Sequence, residues 1–408
     1  MTALLAIGGA YALVSWDWCG RWIQSPAKLV SSSRATGPLR AGAARVALTP
    51  PWPATVAGYG PLRPTSSRMT RAVEARAVVL QVGEVRAAVV SLDVLLIPED
   101  VVSEVRTQSG MADAWVVAAH THSSFGGYDD RPLAQLAGTG LFHASAKNAL
   151  VRAAVEALAQ AQAAVGPARL ELGTADAALC RARTGAGCDR RFTRMTLTSA
   201  TGPIAEWLVL SAHPTLVPRK FDGLDSDYPG ALAARRAAAD AGVALVLQGA
   251  GGNASAPAEK TPATFAQAAD QQLPPTTEVA QPLELAIART RVTLPHPDAS
   301  RLVPSFSWVA ASNFVCLKAA REAEVGAIRL GKMVWLSAPI EASEPAGARL
   351  EAAAGADRLI SVANGYLGYV EPADVVAQAG GESRKQYYGP GMLDALEEAA
   401  KLAGDAVR

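Results

Sequence analysis

His120-Thr121-His122-Ser123 directly follows an apolar run, Trp115-Val116-Val117-Ala118-Ala119, in a chain with only five histidines. Residues two apart on a strand project to the same face, so a strand ending here is expected to deliver both imidazoles to one point. Imidazoles are ligands for transition metals, and in open α/β sheets ligands collect beyond the carboxyl ends of strands. The other histidines are His143, His213 and His296. His213 closes a second apolar run, Trp207 to Ala212, and Glu341 lies just past a third, Met333 to Ser337. Two histidines, a carboxylate and one open position make a catalytic zinc site, where the metal lowers the pKa of a water and polarises a carbonyl. On spacing alone the HxH pair is equally open to a structural reading, as two hydrogen-bonded imidazoles, and a lone histidine after a strand is more often structural.

The elements that must position these groups alternate between apolar runs and helical stretches, the pattern of a mixed α/β domain. Residues 76–81 and 86–94 are expected to form a hairpin around Gly83-Glu84, and residues 115–119 a third strand. An Ala-rich helix is expected over 145–164, stopped by Gly166-Pro167. Further strands are expected at 207–212, 243–247, 333–337 and 359–363, with a helix opening at Pro229-Gly230 and an amphipathic helix over 392–407. His120, His213, Ser255, Glu341 and Tyr369 each fall just beyond one of these runs. Residues 254–282, rich in Pro, Thr, Gln and Ala, read as a long loop. No internal repeat is apparent, and no second domain after Tyr388.

Composition narrows the function. Lys and Arg total 38 against 37 Asp and Glu, a formal charge of +1, which excludes the basic surplus of a nucleic-acid binder. The four cysteines lack a CxxC pair, so a thiolate metal site is not expected. Cys180 and Cys188 flank an Arg/Gly-rich loop and are open to two readings, a disulfide in an oxidising compartment or two reduced thiols. Residues 1–24 form a hydrophobic segment suited to a signal peptide or an uncleaved membrane anchor, and residues 25–41, with Pro26 and Ser31-Ser32-Ser33, read as a linker. Arg21, Lys28, Arg34 and Arg40 all follow the hydrophobic segment's apolar run Leu4 to Trp16, which by the positive-inside tendency argues for a cytoplasmic domain and conflicts with an exported reading, so the membrane side is open. Residues 42–408 are then the catalytic domain.

The ordered motifs resemble the neutral/alkaline (non-lysosomal) ceramidases. They are His120-Thr121-His122-Ser123, His213-Pro214-Thr215, Gly251-Gly252-Asn253-Ala254-Ser255, Pro339-Ile340-Glu341, Asn364-Gly365-Tyr366-Leu367-Gly368-Tyr369 and Tyr388-Gly389-Pro390. The opening Ala44-Arg45-Val46-Ala47-Leu48-Thr49-Pro50 and Ser91-Leu92-Asp93 are similar as well. The resemblance implies a single mixed α/β metallohydrolase domain, here without the family's C-terminal immunoglobulin-like domain. It implies zinc held by His120, His213, Glu341 and Tyr369, with His122 as general acid/base. Arg183 is the implied active-site arginine, with Arg181 the competing choice, and Ser255 is expected to bind or orient substrate.

The implied activity is hydrolysis of the N-acyl amide bond of ceramide or a related lipid amide, presented at a membrane surface by a membrane-associated, secreted or periplasmic protein. Two alternatives stand beside it: a zinc hydrolase of the same fold acting on a non-sphingolipid ester or amide, and a membrane-tethered lipid-binding homologue with impaired turnover. Three positions depart from the family pattern: Asn253 stands for Asp, Ala256 for Pro, and Gly381 for a substrate-facing tyrosine on a gapless count. Gly381 is therefore expected to widen the substrate entrance.

Overall fold

The computed structural model describes residues 22–60, 64–184, 187–298 and 308–408. Among the described residues the strands gather into three five-stranded sheets and three short two-stranded ones, and each large sheet is built around an antiparallel hairpin whose second strand is joined in parallel by a later one. In the first, Glu74–Val82 pairs with Val85–Leu92, which is joined in parallel by Trp115–Ala118. The second pairs Arg191–Ser199 with Gly202–Leu210, joined by Val243–Gln248. The third pairs Glu322–Leu330 with Met333–Ser337, joined by Arg358–Ile360. Each parallel join needs a crossover, and a helix supplies it: Glu99–Ser109, Asp227–Ala238 and Glu344–Ala354.

Burial follows from this layout. One face of every sheet points to a shared centre, where Val78, Leu80, Trp115, Trp207, Leu245 and Trp335 belong to one buried cluster. The Trp207 and Trp335 rings meet edge to face, with centroids 5.6 Å apart. The opposite faces are covered by helices, including Ala144–Ala163 on the first sheet and Met392–Val407 on the third. Strands buried on both faces read as unbroken apolar runs, which is why Trp115–Ala118 and Met333–Ser337 stand out in the sequence. At their carboxyl ends the sheets are stitched together. Ala118 N–H donates to Val362 O at 3.1 Å, Ser361 N–H to Gln248 O at 2.8 Å, and the Gln248 amide to Ala119 O at 3.3 Å.

Two expectations are corrected. Residues 25–41 are not a linker, because Lys28–Gly37 is an edge strand paired antiparallel with Leu283–Thr293. Its serines suit an edge position, where the backbone makes the ladder and most side chains face water. Residues 254–282 are not one long loop either, since Pro262–Gln271 is a helix. Thr261 caps it in a reciprocal box with Thr264, Pro262 sits in the first turn, and Phe265, Ala266 and Ala269 are buried.

The apolar segment at residues 1–24 lies mostly outside the described residues. Its end does not: Trp22 packs against Tyr388 at 6.3 Å between ring centroids. No helix among the described residues is long and apolar enough to cross a membrane.

Candidate metal centre

His120 sits two residues beyond its strand, in a turn with φ of 67°, a left-handed conformation that a β-carbon disfavours. The HxH pair therefore does not lie on a strand, and the two-residue alternation expected from the sequence is not what aims it. The turn is held instead by His120 N–H donating to Val94 O at 3.0 Å and by the ring Nδ1 facing Leu95 O at 2.7 Å. Strain of this kind persists where the surroundings impose it, most often at functional sites.

His213 is fixed in the same manner from the second sheet, its Nδ1 2.9 Å from Gly251 O. A carbonyl can only accept, so both rings carry their hydrogen on Nδ1 and, when neutral, present a lone pair at Nε2. Those two Nε2 atoms are 3.3 Å apart. Glu341 Oε2, from the third sheet, is 3.2 Å from one and 2.9 Å from the other. Tyr369 Oη is 3.0 Å from His213 Nε2, and Glu341 and Tyr369 are neighbours in a short parallel pairing.

Two lone-pair nitrogens and a carboxylate oxygen this close repel one another unless a proton or a metal ion lies among them. The edge of a tetrahedron of ligands about 2.0–2.1 Å from a metal is roughly 3.3 Å, so the separations suit one ion touching every donor. Glu341 Oε2 is buried without a conventional hydrogen-bond partner, whereas Tyr366 Oη donates to Oε1 at 2.5 Å and fixes the other oxygen. These residues therefore fit a divalent metal ion. Burial opposes ionisation of Glu341, but positive charge and N–H donation from the adjoining His120 and His213, available when a proton stands in for a metal ion between them, prevail and hold its carboxyl well below the usual range. Burial, and then the Glu341 charge, push the Tyr369 phenol well above its ordinary value.

His122 completes a three-histidine group in which one ring nitrogen from each residue lies within 4.8 Å of the others. Both of its ring nitrogens are buried and unpartnered, and burial, followed by the neighbouring His120 and His213, pushes it well below the ordinary histidine value. Beside these groups lies a cavity of about 620 Å³, whose lining includes the apolar Leu95, Leu96, Leu133 and Val315 together with His122, Arg183, Ser255 and Tyr369.

No protein-family model and no curated protein sequence matches the chain. Solved structures do match. The neutral ceramidase from Pseudomonas aeruginosa superposes with a TM-score of 0.75 at 20% identity, covering 91% of this chain and 75% of that one. A ceramidase complexed with C2 gives a TM-score of 0.76 at 18% identity, with the same coverage. The chain has the neutral ceramidase fold.

Within the neutral ceramidase fold, the residues singled out from sequence come together. His122, His213, Glu341, Tyr369, Arg183 and Ser255 all line the cavity, and His120 meets His213 and Glu341 just behind that lining. Of the two candidate arginines Arg183 lines the cavity; Arg181 pairs with Ser255 in a short antiparallel ladder, is exposed, and is absent from the lining. Arg183 lies in the loop closed by a Cys180–Cys188 disulfide, with Cα atoms 6.3 Å apart. Asn253 ties that loop down through Thr184 O and Gly187 O, both at 3.0 Å. Gly252 lets the turn approach: a β-carbon there would meet Glu341 O at 2.6 Å.

Gly381 does not behave as expected. It has φ of 56°, its missing side chain would point at the Glu371 carboxylate 2.3 Å away, and it is not part of the cavity lining, so it does not widen the entrance. A gapless count across a loop had no way to place it. The sequence reading also assigned no role to Tyr366, Glu382 and Lys385. Glu382 pairs with Arg183 at 3.2 Å and with Lys385 at 2.7 Å. Tyr366 belongs to the quoted Asn364–Tyr369 motif, so a signal for it existed; for Glu382 and Lys385 there was none.

Proposed function

We propose that the protein is a zinc-dependent hydrolase that cleaves the N-acyl amide bond of a lipid amide of the ceramide type. The observation that carries this reading is the convergence of His120 Nε2, His213 Nε2, Glu341 Oε2 and Tyr369 Oη beside a cavity whose lining includes several apolar side chains. When bound there, zinc acidifies a water and polarises the amide carbonyl. Carbonyl acceptors at Leu95 and Gly251 lock the two histidines in the ligating tautomer, and the Tyr366 hydroxyl holds Glu341 so that Oε2 faces its partners.

His122 is the proton carrier. Its ring is neutral and its nitrogens uncommitted, so one of them takes a proton as the acyl carbon is attacked and returns it to the departing amine nitrogen. Arg183 offers hydrogen-bond donors to the developing oxyanion or to a polar head, and Ser255 orients the substrate. Leu95, Leu96, Leu133 and Val315 receive the acyl chain and exclude water from the reacting end. The Cys180–Cys188 disulfide supports an oxidising, extracytoplasmic compartment. A hydrophobic segment at residues 1–24 would keep the enzyme beside an amphiphilic substrate.

The test is metal analysis of the full chain together with hydrolysis of short-chain and natural ceramide, each with and without a chelator. One zinc per chain and chelator-sensitive cleavage are expected. His120→Ala and His213→Ala should each lose the metal while remaining folded; full occupancy in both overturns the ligand assignment.

A further inference from the structure

The charged side chains lining the cavity are unbalanced. Among the described residues four are cations, Arg131, Arg183, Lys318 and Lys385, and one is a carboxylate, Glu341, which faces His120 and His213. Two of the four are neutralised from behind the lining: Arg131 by Asp129 and Glu99, and Lys318 by Asp130. Arg183 and Lys385 differ, because they share a single carboxylate. Glu382 binds Arg183 Nε through Oε1 at 3.2 Å and Lys385 Nζ through Oε2 at 2.7 Å. Within the triad at this corner one positive charge is left over on the cavity side, while Glu371, which accepts from the Glu382 N–H at 2.8 Å, is buried behind it and outside the lining.

The corner is close to the chemistry. Lys385 Nζ lies 4.5 Å above the centre of the Tyr369 ring, whose hydroxyl is 3.0 Å from His213 Nε2. Donors remain free: an ammonium has three N–H groups and a guanidinium five, and each cation spends only part of its set on Glu382 and Gly252 O. Lys385 is 53% exposed and Arg183 23%, so both can be reached from the cavity without displacing Glu382.

We propose that this corner binds an anionic group a few bonds from the scissile nitrogen, and that the preferred substrates are N-acyl amides with a charged head, such as N-acyl amino acids or N-acyl taurines, rather than amides with a neutral diol head. This rests on the amide-hydrolase reading above and names its substrate class. The apolar side chains of the lining take the acyl chain, while Arg183 and Lys385 hold the carboxylate or sulfonate.

Three amides of one acyl length separate the arms: N-dodecanoylglycine, N-dodecanoyltaurine and neutral N-dodecanoylethanolamine, assayed with the full zinc-loaded chain. The glycine or taurine amide should exceed the ethanolamine amide in kcat/KM by about tenfold or more, mainly through KM, the scale of one charge-assisted hydrogen bond. Lys385→Gln should reduce that preference severalfold, and Lys385→Glu should abolish or invert it. Calorimetry on the zinc-free chain gives a readout independent of turnover, with tighter binding of the anionic amides expected. Equal kcat/KM and equal binding for charged and neutral amides overturn the proposal while leaving amide hydrolysis intact. Selective binding of the anionic amides that depends on Lys385, with no hydrolysis of any of the three, supports the anion site and removes the hydrolase reading.

Discussion

Tyr366→Phe is the substitution that most directly probes how the metal donors are held. The Tyr366 hydroxyl donates to Glu341 Oε1 at 2.5 Å, and the Glu341 carboxylate is only 4% exposed. Deleting the hydroxyl leaves one oxygen of a buried carboxylate without its donor. Hydrogen bonds to charged groups contribute about 1.5–3 kcal/mol, so the metal-free protein should lose stability of that order. Metal affinity should fall separately, because Oε2 is aimed at His120 and His213 only while Oε1 is pinned. Loss of such an outer partner typically weakens a site about 10- to 100-fold, or about 1.4–2.7 kcal/mol. Competition against a chromophoric zinc chelator reads the affinity, and urea unfolding in chelator reads the metal-free stability. An affinity within twofold of the parent would mean that Tyr366 merely walls the cavity. A loss as deep as that of Glu341→Gln would make Tyr366 a ligand itself, and the donor set would have to be redrawn.

His122→Ala should keep its zinc and lose turnover by roughly 10²-fold, the scale of general acid–base catalysis; loss of the metal instead would make the three-histidine group the true ligand set. The Asp227 carboxyl, pushed up from 3.8 to about 6 chiefly by burial, gives a pH test. Its native form holds a proton that the unfolded chain releases, so stability should drop by about 3 kcal/mol as pH rises from about 4 to about 6, at 1.36 kcal/mol per unit. Asp227→Asn should flatten that stretch of the urea-unfolding profile, and an unchanged slope would refute the assignment. Removing residues 1–21, with Trp22 and the Lys28–Gly37 strand retained, should move the protein from the membrane to the soluble fraction. Equal partitioning of both forms would end the anchor argument.

What was legible in the sequence divides along a physical line. Runs buried on both faces, such as Trp115–Ala118 and Met333–Ser337, announce themselves because every residue is apolar, and the groups beyond their ends were found with them. The helix Met392–Val407 was equally plain, its buried positions recurring at helical spacing. Elements whose stability lies in backbone pairing or capping were lost: the edge strand Lys28–Gly37 looks like a linker because its side chains are polar, and Pro262–Gln271 hides in a loop-like composition. Lys385 and Glu382 gave no signal, since their importance comes from which side chains they meet across the fold.

The three-sheet arrangement was also invisible, because the three hairpin–helix–strand units share no repeated residues that a period search would detect. Yet this arrangement explains why the donors converge. His120 follows the first sheet, His213 the second, and Glu341 and Tyr369 the third, so no single sheet could assemble the site. Their relative positions depend on how the three sheets pack at the common core and on the stitches joining Ala118 to Val362 and Gln248 to Ser361 and Ala119. Close-packed interiors transmit displacement instead of absorbing it. A truncation at the centre, such as Trp335→Leu, should therefore reach the metal site although Trp335 is no donor, by letting the third sheet shift against the second. The expected sign follows from the geometry: the proposed donors meet at 2.9–3.3 Å, already ligand spacing, so a shift of one sheet against another should lower the zinc affinity read by chelator competition, and an unchanged affinity would refute the coupling.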